Sequence, residues 1–251
     1  MGKELLVLVL VLALSAATPE LPEYLKRCSR NVNRIRWNDC LKHAIEDGFA
    51  KLKKGEKSIN LEAYDPLKID KIVTTKNGVL ISLDVNQKNT EIRGFGDGIR
   101  LDKVDFNFDK KVFSASILVP KLTLDSYQVL KGKIVGIPLT WKGGMTSNIT
   151  KVKCDFAAPF EPITVDGKEY LKFDDHRLKL HLDVDHVRVR HKESTPADRV
   201  VANAADTIIN SNWRLVFNVL KPSYEDVFRK QLAKSLIGLF SSVPVDGIFL
   251  N

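Results

Sequence analysis

The chain has 251 residues and three cysteines, and 39 Lys and Arg against 31 Asp and Glu give it a net charge of +8. That length fits one large or two small domains with a core that needs neither metal nor a dense disulfide framework. No repeat, low-complexity tract or Pro/Gly/Ser linker divides it. A basic chain without a nucleic-acid-binding motif points away from nucleic acid and towards anionic partners such as acidic proteins or lipid headgroups.

The first segment combines Lys3, an apolar run from Leu5 to Leu14, and the small residues Ser15, Ala16 and Ala17. It reads as a signal peptide over residues 1–17, cleaved after Ala17, which makes the protein secreted and extracellular; an N-terminal anchor is the alternative. The run is shorter than the roughly 20 apolar residues a bilayer requires. Residues 18–251 then read as a single domain. In an oxidising compartment, Cys28 and Cys40 are close enough in sequence to form a local disulfide. Cys154 is left over, either as a buried thiol behaving as a small hydrophobe or as a reactive or intermolecular one. Between and beside the paired cysteines, Lys26, Arg27, Arg30, Arg34 and Arg36 form a basic cluster. It reads as an ordinary solvated face or as a surface for an anionic partner.

A first helix is expected from about Trp37 to Leu52, where Leu41, Ala44, Ile45, Gly48, Phe49 and Leu52 recur at helical spacing, with Gly55 ending it. Strand signals then run from about Lys71 to Arg190. Val79, Ile81, Leu83 and Val85 alternate, as do Phe113, Ala115, Ile117 and Val119, and Leu178, Leu180, Leu182 and Val184. Such alternation means one covered face per strand. Turn signals at Asn77-Gly78, Gly143-Gly144 and Asp166-Gly167 make this an antiparallel meander. The last third is helical. It opens at an N-cap, Thr195, and carries Ile208, Ile209, Trp213, Val216, Phe217 and Leu220 on one face. Pro222 should break or kink it, a second run from Tyr224 to Phe240 follows, and the final "VDGIFLN" reads as a short closing strand. A helical stretch this long needs an extensive apolar cover, and a large antiparallel sheet rolled around it supplies one.

No catalytic constellation emerges. His176, His181, His186 and His191 recur at steps of five. Metal ligands must converge on one point, and steps of five along a strand alternate faces, so these read as solvated or edge histidines. "GFGDGIR" is followed by a strand rather than a helix, which makes it a hairpin turn or bulge instead of a phosphate cradle. Asn148-Ile149-Thr150 is an N-glycosylation sequon, placed by "KGGMTSNIT" at a turn and its exit.

The ordered set "RCSRNVNRIRWNDCLKHAIE", "YDPLKID", "LDSYQVLKGKIVGIPLTWKGG" and "NSNWRLVFNVLKPSYEDVFRKQLAKSLIGLFSSVPVDGIF" resembles the takeout / haemolymph juvenile hormone-binding protein family of insects. The resemblance covers essentially all of residues 18–251. It implies an α+β fold, a long C-terminal helix wrapped by a highly curved antiparallel sheet (a super-roll), with a short N-terminal helix. It implies a non-enzymatic carrier of a small elongated hydrophobic ligand such as a terpenoid or fatty acid, and a monomer without cofactor is expected. The charge of +8 and the basic N-terminal cluster give the alternative, a membrane-surface lipid-transfer or lipid-recognition protein, with a receptor or an anionic membrane surface as a further partner. Hormone carriers of the family have a second disulfide. The unpaired Cys154 makes this chain more similar to the takeout branch, whose members are associated with feeding, courtship and circadian output.

An apolar tunnel would draw its walls from the strands and the helix together. The expected lining from the sheet is Phe106, Phe108, Ile117, Val119 and Leu122, then Leu124, Ile134, Ile137 and Leu139. The helical third would add Trp213, Phe217, Leu220, Phe228 and Leu232. Tyr127 is the expected polar anchor, since a buried phenol needs a hydrogen-bond partner.

Overall fold

In the computed structural model, which describes residues 20–192 and 195–251, the alternating segments pair into an antiparallel sheet of eight strands. The expected signal segment, residues 1–17, lies outside the described residues. After helix α1 (Arg34–Lys51) come β1 (Leu67–Lys76), β2 (Ile81–Arg93) and β3 (Arg100–Asn107), then the two long strands β4 (Val112–Ile134) and β5 (Ile137–Val165). The shorter β6 (Lys168–Phe173), β7 (Lys179–Asp183) and β8 (His186–His191) all pair with β5. Helices α2 (Pro196–Ser211), α3 (Trp213–Ser242) and the single turn α4 (Val245–Ile248) close the chain.

The long pair β4–β5 is the spine, and its alternation changes phase once. Along β4 the alternating buried residues are Phe113, Ala115, Ile117 and Val119, then Leu122, Leu124, Ser126, Gln128, Leu130 and Ile134, with Ser116 buried out of phase. Along β5 they are Leu139, Trp141, Met145 and Ser147, then Val152, Phe156, Ala158 and Phe160. The pairing Val119 to Val152 and Lys121 to Thr150 is in register on both sides of the change, so the two strands switch faces together at Pro120 and Lys151. Pro120 has no N–H to give the ladder, and Lys151 takes a left-handed φ of 48°. A strand of this length can therefore line one curved interior along its whole course.

The hairpin joining β4 to β5 is Val135-Gly136, with φ of 50° and 78°, the two left-handed residues a type I′ turn requires. Gly143-Gly144, expected as a turn, lies inside β5 opposite Gln128 and Tyr127. Asn148 is consequently mid-strand and half-buried, accepting a bond from Thr123 Oγ1 (3.3 Å), which removes the turn context that favoured its sequon. Val79, expected inward, is 92% exposed because it lies in the turn before β2.

The sheet curls until both margins meet α3. Ser223 Oγ donates to the Val73 carbonyl on β1 (3.1 Å) and accepts from Thr74 Oγ1 (2.8 Å). On the opposite side, Glu225 Oε1 accepts from the Leu182 N–H of β7 (2.9 Å), and Arg214 donates to the Val184 carbonyl (3.1 Å). The helix thereby satisfies strand-edge groups that would otherwise face water.

The break in the helical third falls at Asn212 rather than at Pro222, which sits inside α3. Asn212 caps both helices: its N–H donates to Ile209, its Nδ2 to the Ile208 carbonyl (2.9 Å), and its carbonyl accepts from Val216. Two residues earlier, Asn210 accepts from the Val189 N–H (2.8 Å) and donates to its carbonyl (2.9 Å), pinning α2 to β8. These local side-chain bonds compete with helix continuation, whereas Pro222 removes a single intrahelical bond. The closing segment also differs from expectation. It forms α4, and strand pairing is confined to a parallel bridge between Ser29 and Leu250.

Cys28 and Cys40 form a disulfide that ties the N-terminal segment to α1. Three residues of the basic cluster around them contact other parts of the chain, while Lys26, Arg34 and Arg36 stay exposed. Arg27 donates to the Asp246 and Phe249 carbonyls, Arg30 donates to Asn251 Oδ1 and stands 5.5 Å over the Phe108 ring, and Arg34 pairs with Asp105.

Candidate functional site

Two cavities lie between α3 and the inner face of the sheet. The larger, about 350 Å³, is walled by α1, β3, the first half of β4, β5, β7 and the second half of α3. That volume is in the range of small-molecule sites. Leu41, Ala44, Ile45 and Phe49 of α1, with Leu52 at its C-cap, line one side of it, and Leu21 and Leu25 lie beside them. Lys26 is its one charged lining residue among the described residues and is itself exposed, which marks where the cavity reaches the surface. The smaller cavity, about 80 Å³, continues towards α2 between β2, the second half of β4 and the first half of α3. Leu122, Val152, Leu182 and Phe228 line both cavities and form the neck between them.

The structure gathers most of the expected wall residues around this space. Phe106, Ile117, Val119, Leu122, Phe228 and Leu232 line the larger chamber. Leu124, Ile134, Trp213, Phe217 and Leu220 line the smaller one. Four others lie elsewhere. Phe108 follows the end of β3 and packs on Phe106 and Phe160 beneath Arg30. Leu139 is buried in a separate cluster with Ala202, Ala205 and Ile209 of α2. Ile137 is 48% exposed because it is the first residue after the hairpin, at the open end of the sheet. Tyr127 is 41% exposed: Leu124, Ser126 and Gln128 point inward, so the residue between the last two points out.

The polar groups inside are different ones. Gln87 of β2 and Gln128 of β4 are directly opposed across the ladder, and both line the smaller chamber. They are 2% and 5% exposed. Tyr224 of α3 donates its hydroxyl to Gln87 Oε1 (2.6 Å). Burial pushes the Tyr224 phenol up to about 12, so it stays a neutral donor. Both glutamines were legible in principle, as polar interruptions of inward runs: Ile81, Leu83, Val85, Gln87 on one strand and Leu122, Leu124, Ser126, Gln128, Leu130 on the next.

Cys154 lines the larger chamber, and burial pushes its thiol up to about 12, leaving it an un-ionised apolar surface rather than a nucleophile. The histidines spread as their spacing requires. His176 and His181 are exposed, His186 packs on Trp213 (5.0 Å), and His191 alone is buried, its Nδ1 2.7 Å from Asp206 Oδ1. His191 thus departs from the solvated reading. Among the described residues no cluster able to hold a metal ion occurs, and no helix is long and apolar enough to cross a membrane. The glycines of "GFGDGIR" form the β2–β3 turn, where the Gly94 and Gly96 N–H groups donate to the Asp65 carboxylate.

An interior of this kind offers apolar matter a place out of water and little else, and a sheet rolled about its own helix with a space left between them is the build of a hydrophobic-ligand container. The chain belongs to the takeout / haemolymph juvenile hormone binding protein family: the model of that family, "Haemolymph juvenile hormone binding protein", matches residues 5–250. Among solved structures, the crystal structure of Epiphyas postvittana Takeout 1 is similar with a TM-score of 0.75 and 19% identity, covering 85% of this chain and 96% of that one. A lipopolysaccharide binding protein gives a TM-score of 0.33 at 11% identity, covering 77% of this chain and 39% of that one. No curated protein sequence matches this one.

Proposed function

We propose that this protein is a secreted, monomeric carrier that holds one small, elongated, apolar ligand, a terpenoid or a fatty-acid derivative, along α3. In this reading residues 18–251 act as one carrier domain, and the residues lining the two chambers make the contacts. The observation that carries it is the cavity of about 350 Å³ whose walls, among the described residues, hold no charged residue except Lys26 at the rim. Burying about 300 Å² of ligand apolar surface would supply roughly 7 kcal/mol before ordering costs, enough without any ionic contact. Native mass spectrometry of the secreted protein, before and after organic extraction, tests it. A copurifying apolar molecule lost on extraction is the expected result. A protein that is empty from the start and takes up none of a panel of terpenoids and lipids would sink the reading.

A second reading, a lipid-transfer protein that works at a membrane surface, is favoured by the hairpin end of the roll rather than by the N-terminal cluster. There Val79, Leu80, Val135 and Ile137 are 92%, 64%, 53% and 48% exposed. Val135 N–H donates to the Leu80 carbonyl (2.8 Å), which makes the two turns one tip. Lys76, Lys131 and Lys133 are exposed around it. An apolar tip ringed by lysines matches an anionic bilayer. The protein should cosediment with phosphatidylserine-containing vesicles at low salt, less so at high salt, and lose this on Val79→Asp with Leu80→Asp. No cosedimentation at low salt removes this second reading.

A further inference from the structure

The smaller chamber is apolar except at one place, and that place is incompletely bonded. Gln87, Gln128, Ser147 and Tyr224 are the polar residues on its wall. Tyr224 and Gln87 satisfy one another. Gln128 Oε1 is buried without a hydrogen-bond partner, and so is the Oγ of Ser126, two residues earlier on the same inward face of β4. On its other side Gln128 faces Gly143 of β5, which has no side chain to bond it. A buried amide oxygen left unpaired is costly, and nearly all such groups in folded proteins find a partner. Here the group borders an open space.

We infer that Gln87, Gln128 and Tyr224 form a headgroup site, in which the Gln128 amide hydrogen-bonds a neutral polar group such as an ester, ketone or hydroxyl, while the ligand's apolar chain passes the neck into the larger chamber. The inference rests on the carrier reading and adds a direction of loading and a headgroup class to it. Either end of the amide can be presented to the ligand, since its oxygen and nitrogen exchange places by a flip. The site therefore suits acceptors and hydroxyls alike. It does not suit an ion. No Lys, Arg, His, Asp or Glu lines the smaller chamber among the described residues. A carboxylate there would give up its hydration with no counter-charge to meet it.

Displacement of 1-aminoanthracene from the full secreted protein, using hexadecane, methyl palmitate and palmitate, tests this. The three share a hydrocarbon chain and differ at the head. Methyl palmitate should displace the probe roughly tenfold better than hexadecane, the worth of one good hydrogen bond in a dry site. Palmitate at about pH 8, where the acid is ionised, should be weaker than the ester. Gln128→Leu should bring the ester down to the hydrocarbon's level and leave hexadecane unchanged. Its melting temperature should stay level or rise, because an unpaired polar group is exchanged for an apolar one of similar shape; Gln128→Met serves if the leucine variant does not fold. Equal displacement by ester and hydrocarbon in the native protein overturns the headgroup site and leaves the carrier standing. An equal weakening of ester and hydrocarbon by Gln128→Leu overturns it too, since that is a packing effect. Failure of all three to displace the probe overturns this inference and the carrier reading together.

Discussion

Replacing Phe106 by alanine is expected to cost about 4 kcal/mol of folding stability, read as a fall in the urea midpoint at unchanged slope. Phe106 is 4% exposed. Its ring lies 5.2 Å from that of Phe108, 4.9 Å from Phe113, 5.1 Å from Phe160, 5.8 Å from Phe240 and 5.3 Å from Phe249. These neighbours include residues of β4, β5, α3 and the end of the chain, so one side chain joins segments far apart in sequence. Its backbone carbonyl also accepts from the Trp37 indole (3.2 Å), which brings in α1. Truncation loses the transfer energy of the ring and leaves a void. The void cannot collapse cheaply, because the surrounding rings are each held by others in the same cluster and the site already borders the larger chamber. Against a total stability of roughly 5–15 kcal/mol, this is a large share. Phe108→Ala is the internal comparison: that ring is only partly buried, under Arg30, and should cost about half as much. A Phe106→Ala shift below about 1 kcal/mol would mean the cluster is not packed as described.

The class of fold could be read from the chain because its two periodicities are long and uninterrupted where they matter. Ile81, Leu83 and Val85 can only be one face of a strand, and a helical third with Ile209, Trp213, Val216, Phe217 and Leu220 can only be buried by something large. The details that failed share a cause: local cues point one way until the partner that decides them is present. Gly143-Gly144 has the composition of a turn, but pairing with β4 carries it straight through, while Val135-Gly136, with a weaker signature, makes the hairpin. Pro222 has the stronger intrinsic bias against a helix, yet the bonds of Asn210 and Asn212 place the break before it. The candidate site is legible in the sequence as a set of apolar walls, while its polar point is legible only once the strand phase is known. Tyr127 stands out as an aromatic with a hydroxyl, but counting inward positions from Leu122 and Leu124 leaves it outside and brings Gln128 in. The phase change at Pro120 is what makes that count start at Leu122 instead of Val119, and a single proline in an apolar run does not announce a switch of face. The basic segment near the N-terminus has a structural use that its composition does not announce: Arg27, Arg30 and Arg34 bond to C-terminal residues and to β3.

Phe228→Ala should widen the neck between the two chambers and shift the protein towards longer ligands. Phe228 is one of four residues shared by both cavity walls, with Leu122, Val152 and Leu182. The other three are on strands held in the β-ladder. Phe228 comes from α3, and its ring leans on Phe95 of the β2–β3 turn, with centroids 5.9 Å apart and planes at 73°. It is thus the neck residue whose side chain can be removed without touching the sheet. The empty variant should be about 2–3 kcal/mol less stable than the native protein, from lost burial and the enlarged void. A saturating long-chain ligand should then restore about the same amount, since ligand at about a hundred times its dissociation constant stabilises by about 2.7 kcal/mol. Phe228→Trp should act in reverse, filling the neck, so that short chains still bind in the larger chamber and long ones no longer reach the smaller. Native mass spectrometry with a homologous series of fatty-acid methyl esters reads both variants. The expected pattern is a preferred length that shifts up for alanine and down for tryptophan. If the preferred length is the same in both variants and in the native protein, the ligand does not pass the neck, and the two chambers are separate spaces.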